Sequence, residues 1–223
     1  MVKSSDKLLG CIAAFFMFAA VPTVLAQTQA DAVEHPKYVV GDWWAFENTN
    51  RMTGAKLTST LQVVDVSEEA IIGFVQTSES DAIRKSLETQ EMNIIARGTV
   101  QWFPNSGRFQ FPLFVGKEWL VGAQFLRNGG VKGVQNLSAR VVGWEEVQVL
   151  AGKFTALKIV WDGEYSSSLV GSFSRANWSG EMHAVVWYVP AVKRAVRLEY
   201  TETNRYGALA ESSLLELGAF KVQ

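Results

Sequence analysis

From Tyr38 onward, apolar side chains fall on every second position, in runs that break every 8 to 14 residues. Successive side chains of an extended chain point to opposite faces, so each run builds a strand with one apolar and one wet side. The runs lie at about 42–48, 56–66, 69–77, 93–101, 117–126, 136–147, 153–162, 181–189, 193–203 and 209–217. Gly, Asn or Pro separates many of them, as at Asn128-Gly129-Gly130 and Pro190. Helical crossovers are missing from the pattern, and short strands joined by close turns specify antiparallel neighbours. The expected fold class is therefore all-β: a strongly curved sheet, or an open barrel or sandwich, of about ten strands.

One segment fits two patterns. Residues 78–95 place Ile83, Leu87 and Ile94 at helical spacing, with Ser78 and Asp81 arranged as a capping box, yet Lys85 to Thr89 also alternate. The neighbouring strands favour a strand here.

The stretch VQVLAGKFTALKIVW (147–161) reads as a hairpin. Val149 to Gly152 suit a four-residue loop with Gly152 in the left-handed region, which sets Val147 opposite Phe154 and Trp144 opposite Leu157. Catalytic loops gather polar groups at the bend, and this bend offers only Lys153. A second hairpin covers 183–200. Pro190 ends its first strand, and its return strand sets Val196, Leu198 and Tyr200 against Ala195, Arg197 and Glu199 on the other face. Val40-Gly41-Asp42-Trp43-Trp44 is echoed by Val115-Gly116-Lys117-Glu118-Trp119, an offset of 75, as two related β halves would produce.

The N-terminal end carries an export signal. Lys3 and Lys7 precede an apolar run of about fifteen residues that closes on Val24-Leu25-Ala26, so residues 1–26 read as a signal peptide cleaved after Ala26. The run is short for a membrane span and is broken by Pro22. Leu8-Leu9-Gly10-Cys11 imitates a lipidation signal, but there the Cys precedes the apolar run instead of following it. Residues 27–37 are polar and aperiodic, a flexible lead-in to a single β domain over 38–223. Cys11 is the one cysteine, so the processed chain has no disulfide and relies on its core. Cleavage removes two Lys and one Asp, leaving 19 basic and 21 acidic residues, a net charge of −2. With no basic block either, nucleic acid and anionic membrane surfaces are disfavoured as partners.

Four segments carry a family resemblance: YVVGDWW (38–44), FPLFVGKEW (111–119), VQVLAGKFTALKI (147–159) and WYVPAVKRAVRLEY (187–200). Together they resemble a family of exported bacterial β-proteins of unknown function, whose members show a VGD-W opening, a P-VGK-W strand start, a V-AG-F-A-K hairpin and a WY-P-VK hairpin. Leu150 stands where that family often has Pro. The resemblance implies a periplasmic β-domain and assigns no catalytic residue.

Chemistry-bearing constellations are sparse. His183 and Glu181 share a strand face, but one His and no Cys in the folded part give no metal spacing, so no metal or cofactor is expected. Glu145 and Glu146 are strand neighbours and point to opposite faces, and Asp42 and Glu118 sit at strand starts. No G-x-S-x-G or phosphate loop occurs, and Ser166 to Ser168 with Gly171 read as loop. The aromatics are the remaining candidates. Trp43, Trp44, Trp119, Phe125, Trp144, Trp161 and Trp187 are the expected lining of an apolar ligand pocket on a concave sheet face, with Trp178, Phe111 and Phe114 in the wider set. A membrane-embedded barrel is disfavoured, because the 193–202 strand carries charges at both ends of its apolar row. The expectation is a non-enzymatic periplasmic or secreted protein, whose partner is an apolar small molecule or lipid, or an envelope protein. The rival readings are a carboxylate-dependent hydrolase and a purely structural envelope module.

Overall fold

The structure, a computed structural model, describes residues 32–170 and 177–223. The expected signal peptide, its cleavage site, Gly171 and the start of the lead-in fall outside these residues. Twelve strands run β1 (Trp43–Asn50), β2 (Lys56–Val66), β3 (Ile71–Thr77), β4 (Ser80–Glu88), β5 (Ile94–Arg97), β6 (Val100–Phe103), β7 (Glu118–Arg127), β8 (Val131–Val149), β9 (Gly152–Leu169), β10 (Asn177–Val189), β11 (Arg194–Thr203) and β12 (Leu209–Lys221). Each pairs antiparallel with the next in the chain, and β1 pairs with β12, so the sheet closes into an up-and-down barrel.

The all-β antiparallel expectation holds, with two more strands than the alternation showed. Residues 93–101 are two strands, β5 and β6, joined in a hairpin with Arg97 opposite Val100. The ambiguous stretch contains β4, extended and paired with β3 and β5. Strands β8 and β9 outrun their apolar signal, and Ser166, Ser167 and Ser168 belong to β9 instead of a loop. Their hairpin keeps the expected pairs Val147–Phe154 and Trp144–Leu157. Its loop is tighter than expected, since Val149 pairs with Gly152 and only Leu150 and Ala151 remain between them. Gly152 has φ +130°.

The two halves of the barrel begin with the same turn. Gly41 (φ +96°) and Gly116 (φ +86°) occupy matching places, their N–H groups donating to Val63 O and Val141 O, each at 2.9 Å. Asp42 N donates to Val39 O and Lys117 N to Phe114 O, each at 3.0 Å. The sequence echo is thus a repeated docking of a glycine turn onto the following long strand.

Polarity follows the strand period. In β8, β9 and β10 the inward residues include Leu137, Ala139, Val141, Ile159, Trp161, Ala184 and Val186, all buried. The outward positions of the same strands carry Asn136, Ser138, Arg140, Asp162, Glu164 and His183, all exposed. A lipid-embedded barrel has the opposite pattern. Among the described residues, no helix is long and apolar enough to cross a membrane.

About eight strands enclose a space that side chains just fill, so a twelve-stranded barrel has room to spare. The connection between β6 and β7 takes up part of it. Phe109 stands edge-on to Trp161 at 5.5 Å, and Phe111 packs on Tyr188 at 5.6 Å. The buried Asn93 holds the segment by donating to Phe109 O and accepting from Phe109 N, both at 2.8 Å.

Candidate ligand-binding lumen

The deep end of the lumen is stoppered by ions. Glu88, 1% exposed on β4, accepts from Arg97 at 2.6 Å on one oxygen and from Arg194 at 2.6 Å on the other. Ser86 Oγ adds a bond at 3.1 Å. The Arg194 guanidinium lies 4.9 Å from the ring centroids of both Tyr38 and Trp44, and Trp44 Nε1 donates to Val192 O at 2.8 Å. Burial alone would raise the Glu88 carboxyl. The charges and hydrogen bonds of Arg194 and Arg97 outweigh it and hold the carboxyl below the usual range. Removing an ion from water costs several kcal/mol, and here each cation meets the shared carboxylate.

Two cavities lie beyond this stopper. The deeper, of about 230 Å³, is faced by Phe46, Leu61, Val75, Phe109, Trp161 and Leu215. The wider, of about 610 Å³, opens toward the mouth between Trp102, Phe125, Tyr165, Trp178 and Tyr200. The second volume falls within the ordinary range for small-molecule sites. Arg108 and Leu198 border both cavities. Phe125 owes its place to Gly133, its cross-strand partner, since a Cβ there would sit 2.3 Å from the ring. Phe125 in turn meets Trp102 at 5.1 Å.

Arg108 comes from the β6–β7 connection and stands between two indoles, 5.6 Å from the centroids of Trp102 and Trp161. Among the described residues its one hydrogen bond is a long one, 3.4 Å from Nη2 to Gln135 Oε1. Its Nε is enclosed and unpartnered, as is Trp161 Nε1. Among the described residues no carboxylate lies within ion-pair distance of it. Burial is the main force pressing this guanidinium below the usual arginine range. Arg97 adds to that, while Tyr200 and Glu202 oppose it. Arginine nonetheless keeps its proton in proteins, so a cation stands in the lumen with no directly paired carboxylate among the described residues, Glu202 acting on it only from a distance.

Carboxylates occupy the mouth. Glu202 and Glu211 are direct cross-strand partners on β11 and β12 and border the wider cavity. Tyr200 Oη donates to Glu202. Desolvation, then the Glu202 charge, raise the Glu211 carboxyl, with Arg127 opposing.

The seven aromatic candidates are dispersed. Trp161 and Phe125 border the cavities. Trp44 and Trp119 lie in the closed core, and half-buried Trp43 takes the outward position beside Trp44. Trp144 is 42% exposed. Trp187 is covered on the outer wall by Arg197 and Lys158, and its indole N–H donates to Glu145. Trp102, Arg108, Tyr165 and Tyr200 join the lumen without having been singled out. Tyr200 belongs to the apolar face of its strand pattern; Arg108, in a loop, gives no periodic signal. His183 lies on the outer wall and meets Asp162 of β9. Among the described residues, no group of three or more His, Cys, Asp or Glu is placed to hold a metal.

This fold has solved counterparts. A protein described as a lipoprotein, from Parabacteroides distasonis, superposes with a TM-score of 0.53 at 14% identity, over 86% of this chain and 100% of that one. A second, described as an exported protein with a YmcC-like fold, from Bacteroides fragilis, gives 0.53 at 13% identity, over 85% and 99%. At such identities the likeness is one of fold. No protein-family description and no curated protein sequence matches the chain.

Proposed function

We propose that this is an exported envelope protein whose barrel binds an apolar or amphipathic small molecule in its lumen without transforming it. The observation that carries the reading is the mouth-side cavity of about 610 Å³, with Trp102, Phe125, Tyr165, Trp178 and Tyr200 in its wall, and a smaller recess adjoining it at Arg108 and Leu198. Export is supported by the basic, apolar and small-residue order of residues 1–26. The two proteins that share the fold, described as a lipoprotein and an exported protein, agree with it. Native mass spectrometry of protein purified from its own envelope tests the reading. A bound species of reproducible mass, released by organic solvent, is expected. A bare polypeptide mass, together with no uptake of an apolar fluorescent probe, would sink it.

One observation favours a second reading. Glu202 and Glu211 are direct cross-strand partners at the cavity mouth, and desolvation with the Glu202 charge raises the Glu211 carboxyl, as suits the acid of a carboxylate pair in glycoside hydrolysis. Under that reading Glu202→Gln and Glu211→Gln each abolish turnover of a glycoside; under the binding reading both variants retain the ligand.

A further inference from the structure

We infer that the lumen ligand is an amphiphile with an anionic head, carboxylate or phosphate, held by Arg108 and the indole N–H of Trp161, with its tail in the recess beneath. This rests on the lumen being a ligand site and names what the site selects.

The deep guanidiniums are not equivalent. Arg97 and Arg194 share Glu88 and are neutralised by it. Arg108, placed 5.6 Å from the ring centroids of both Trp102 and Trp161, has neither a carboxylate at ion-pair distance nor a short hydrogen bond among the described residues. Arg108 is half-buried with its Nε enclosed, and a partly desolvated cation without an ion-pair partner carries a penalty that an incoming anion removes. A guanidinium fork pairs two N–H donors with two oxygens of a carboxylate or phosphate. The enclosed Nε of Arg108 and Nε1 of Trp161 are two unpartnered donors on stacked side chains.

The surroundings set the rest of the ligand. The recess beside Arg108 is lined mainly by apolar side chains, among them Phe46, Leu61, Val75, Phe109 and Leu215, which suit a hydrocarbon tail; Arg97 and Arg194 also border it, with their charges taken up by Glu88. At the rim, Glu202 and Glu211 outnumber Arg127, so an anionic head is favoured at Arg108 over the rim. A tail-first entry brings it there.

The test compares four ten-carbon probes on the purified protein by calorimetry and by tryptophan fluorescence: decanoate, decyl phosphate, decanol and decyltrimethylammonium. Decanoate or decyl phosphate, or both, should bind about tenfold or more tighter than decanol, the margin of one charge-assisted hydrogen bond. The ratio between the two anions tells a fatty-acid head from a phosphate head. Arg108→Gln should bring the anions down to the level of decanol, whereas Arg108→Lys should retain a preference for them. Equal binding of decanoate, decyl phosphate and decanol by the native protein, or a preference for decyltrimethylammonium, overturns the anionic head and leaves the lumen reading standing. Binding of none of the four overturns both. If Arg108→Gln fails to fold, the native comparison and Arg108→Lys still decide.

Discussion

Glu88 is the residue on which the deep end of the barrel depends. Replacing it with Gln leaves Arg194 buried with its charge unmatched, and breaking a buried pair in this way costs about 3–5 kcal/mol. Urea denaturation of Glu88→Gln should show that loss as a lower midpoint at unchanged slope. The carboxyl titrates below its unfolded value of about 4.3, so its stabilising contribution is complete above that pH and drains away as the pH falls through the folded value. The native protein should therefore lose stability on acidification below about pH 4, and Glu88→Gln should lose much less over the same interval. None of this was legible in advance. Glu88 sits in the one stretch whose alternation competed with a helical period, and neither its depth nor its two partners, 9 and 106 residues away, leave a local trace. Trp161 is the contrasting case: it closes the alternating run Leu157, Ile159, Trp161, and period two gives its face directly. The same rule places Trp144 on a face but says nothing of where the wall ends, and Trp144 is largely in solvent.

At the level of elements, the glycine turns before β1 and β7 do the same work twice. Each docks a tight bend on the following long strand through a pair of backbone bonds, and the positive φ is what closes the bend. A Cβ on Gly116 meets no atom within 4 Å, so Gly116→Ala isolates backbone strain and should cost about 1–3 kcal/mol. A Cβ on Gly163 would lie 2.1 Å from Asn136 O, a clash with backbone that cannot swing aside. Thermal unfolding should rank Gly163→Ala below Gly116→Ala. Strand existence was readable here because one face is apolar, and β2 was located to the residue on that basis. The ends of β8 and β9 were not, because toward the mouth the inward positions become Gln135, Tyr165 and Ser167 and the contrast between faces fades. The β5–β6 hairpin went unseen because each strand has four residues, too few for a period to register.

For the whole molecule, the decisive contact is the pairing of β1 with β12, which sets Trp43 opposite Lys221. Alternation is the same in an open sheet and in a closed one, so closure could not be read from any local pattern. The lumen follows from closure, which is why Arg108 gave no signal as a loop residue. Ending the chain after Ala208 removes β12 and exposes the edges of β1 and β11 together, and unpaired edges template association. Size-exclusion chromatography of that truncation should show aggregates in place of a monodisperse species, and exchange protection should fall along both strands.

The seam also fixes an order of events. Until the final thirteen-residue ribbon slots between the first and the eleventh, the chamber lacks a wall and Leu215 is missing from its floor. Under the proposed binding role, cargo cannot be taken aboard during synthesis or threading; it would be acquired by the finished molecule, from whatever compartment that molecule has reached.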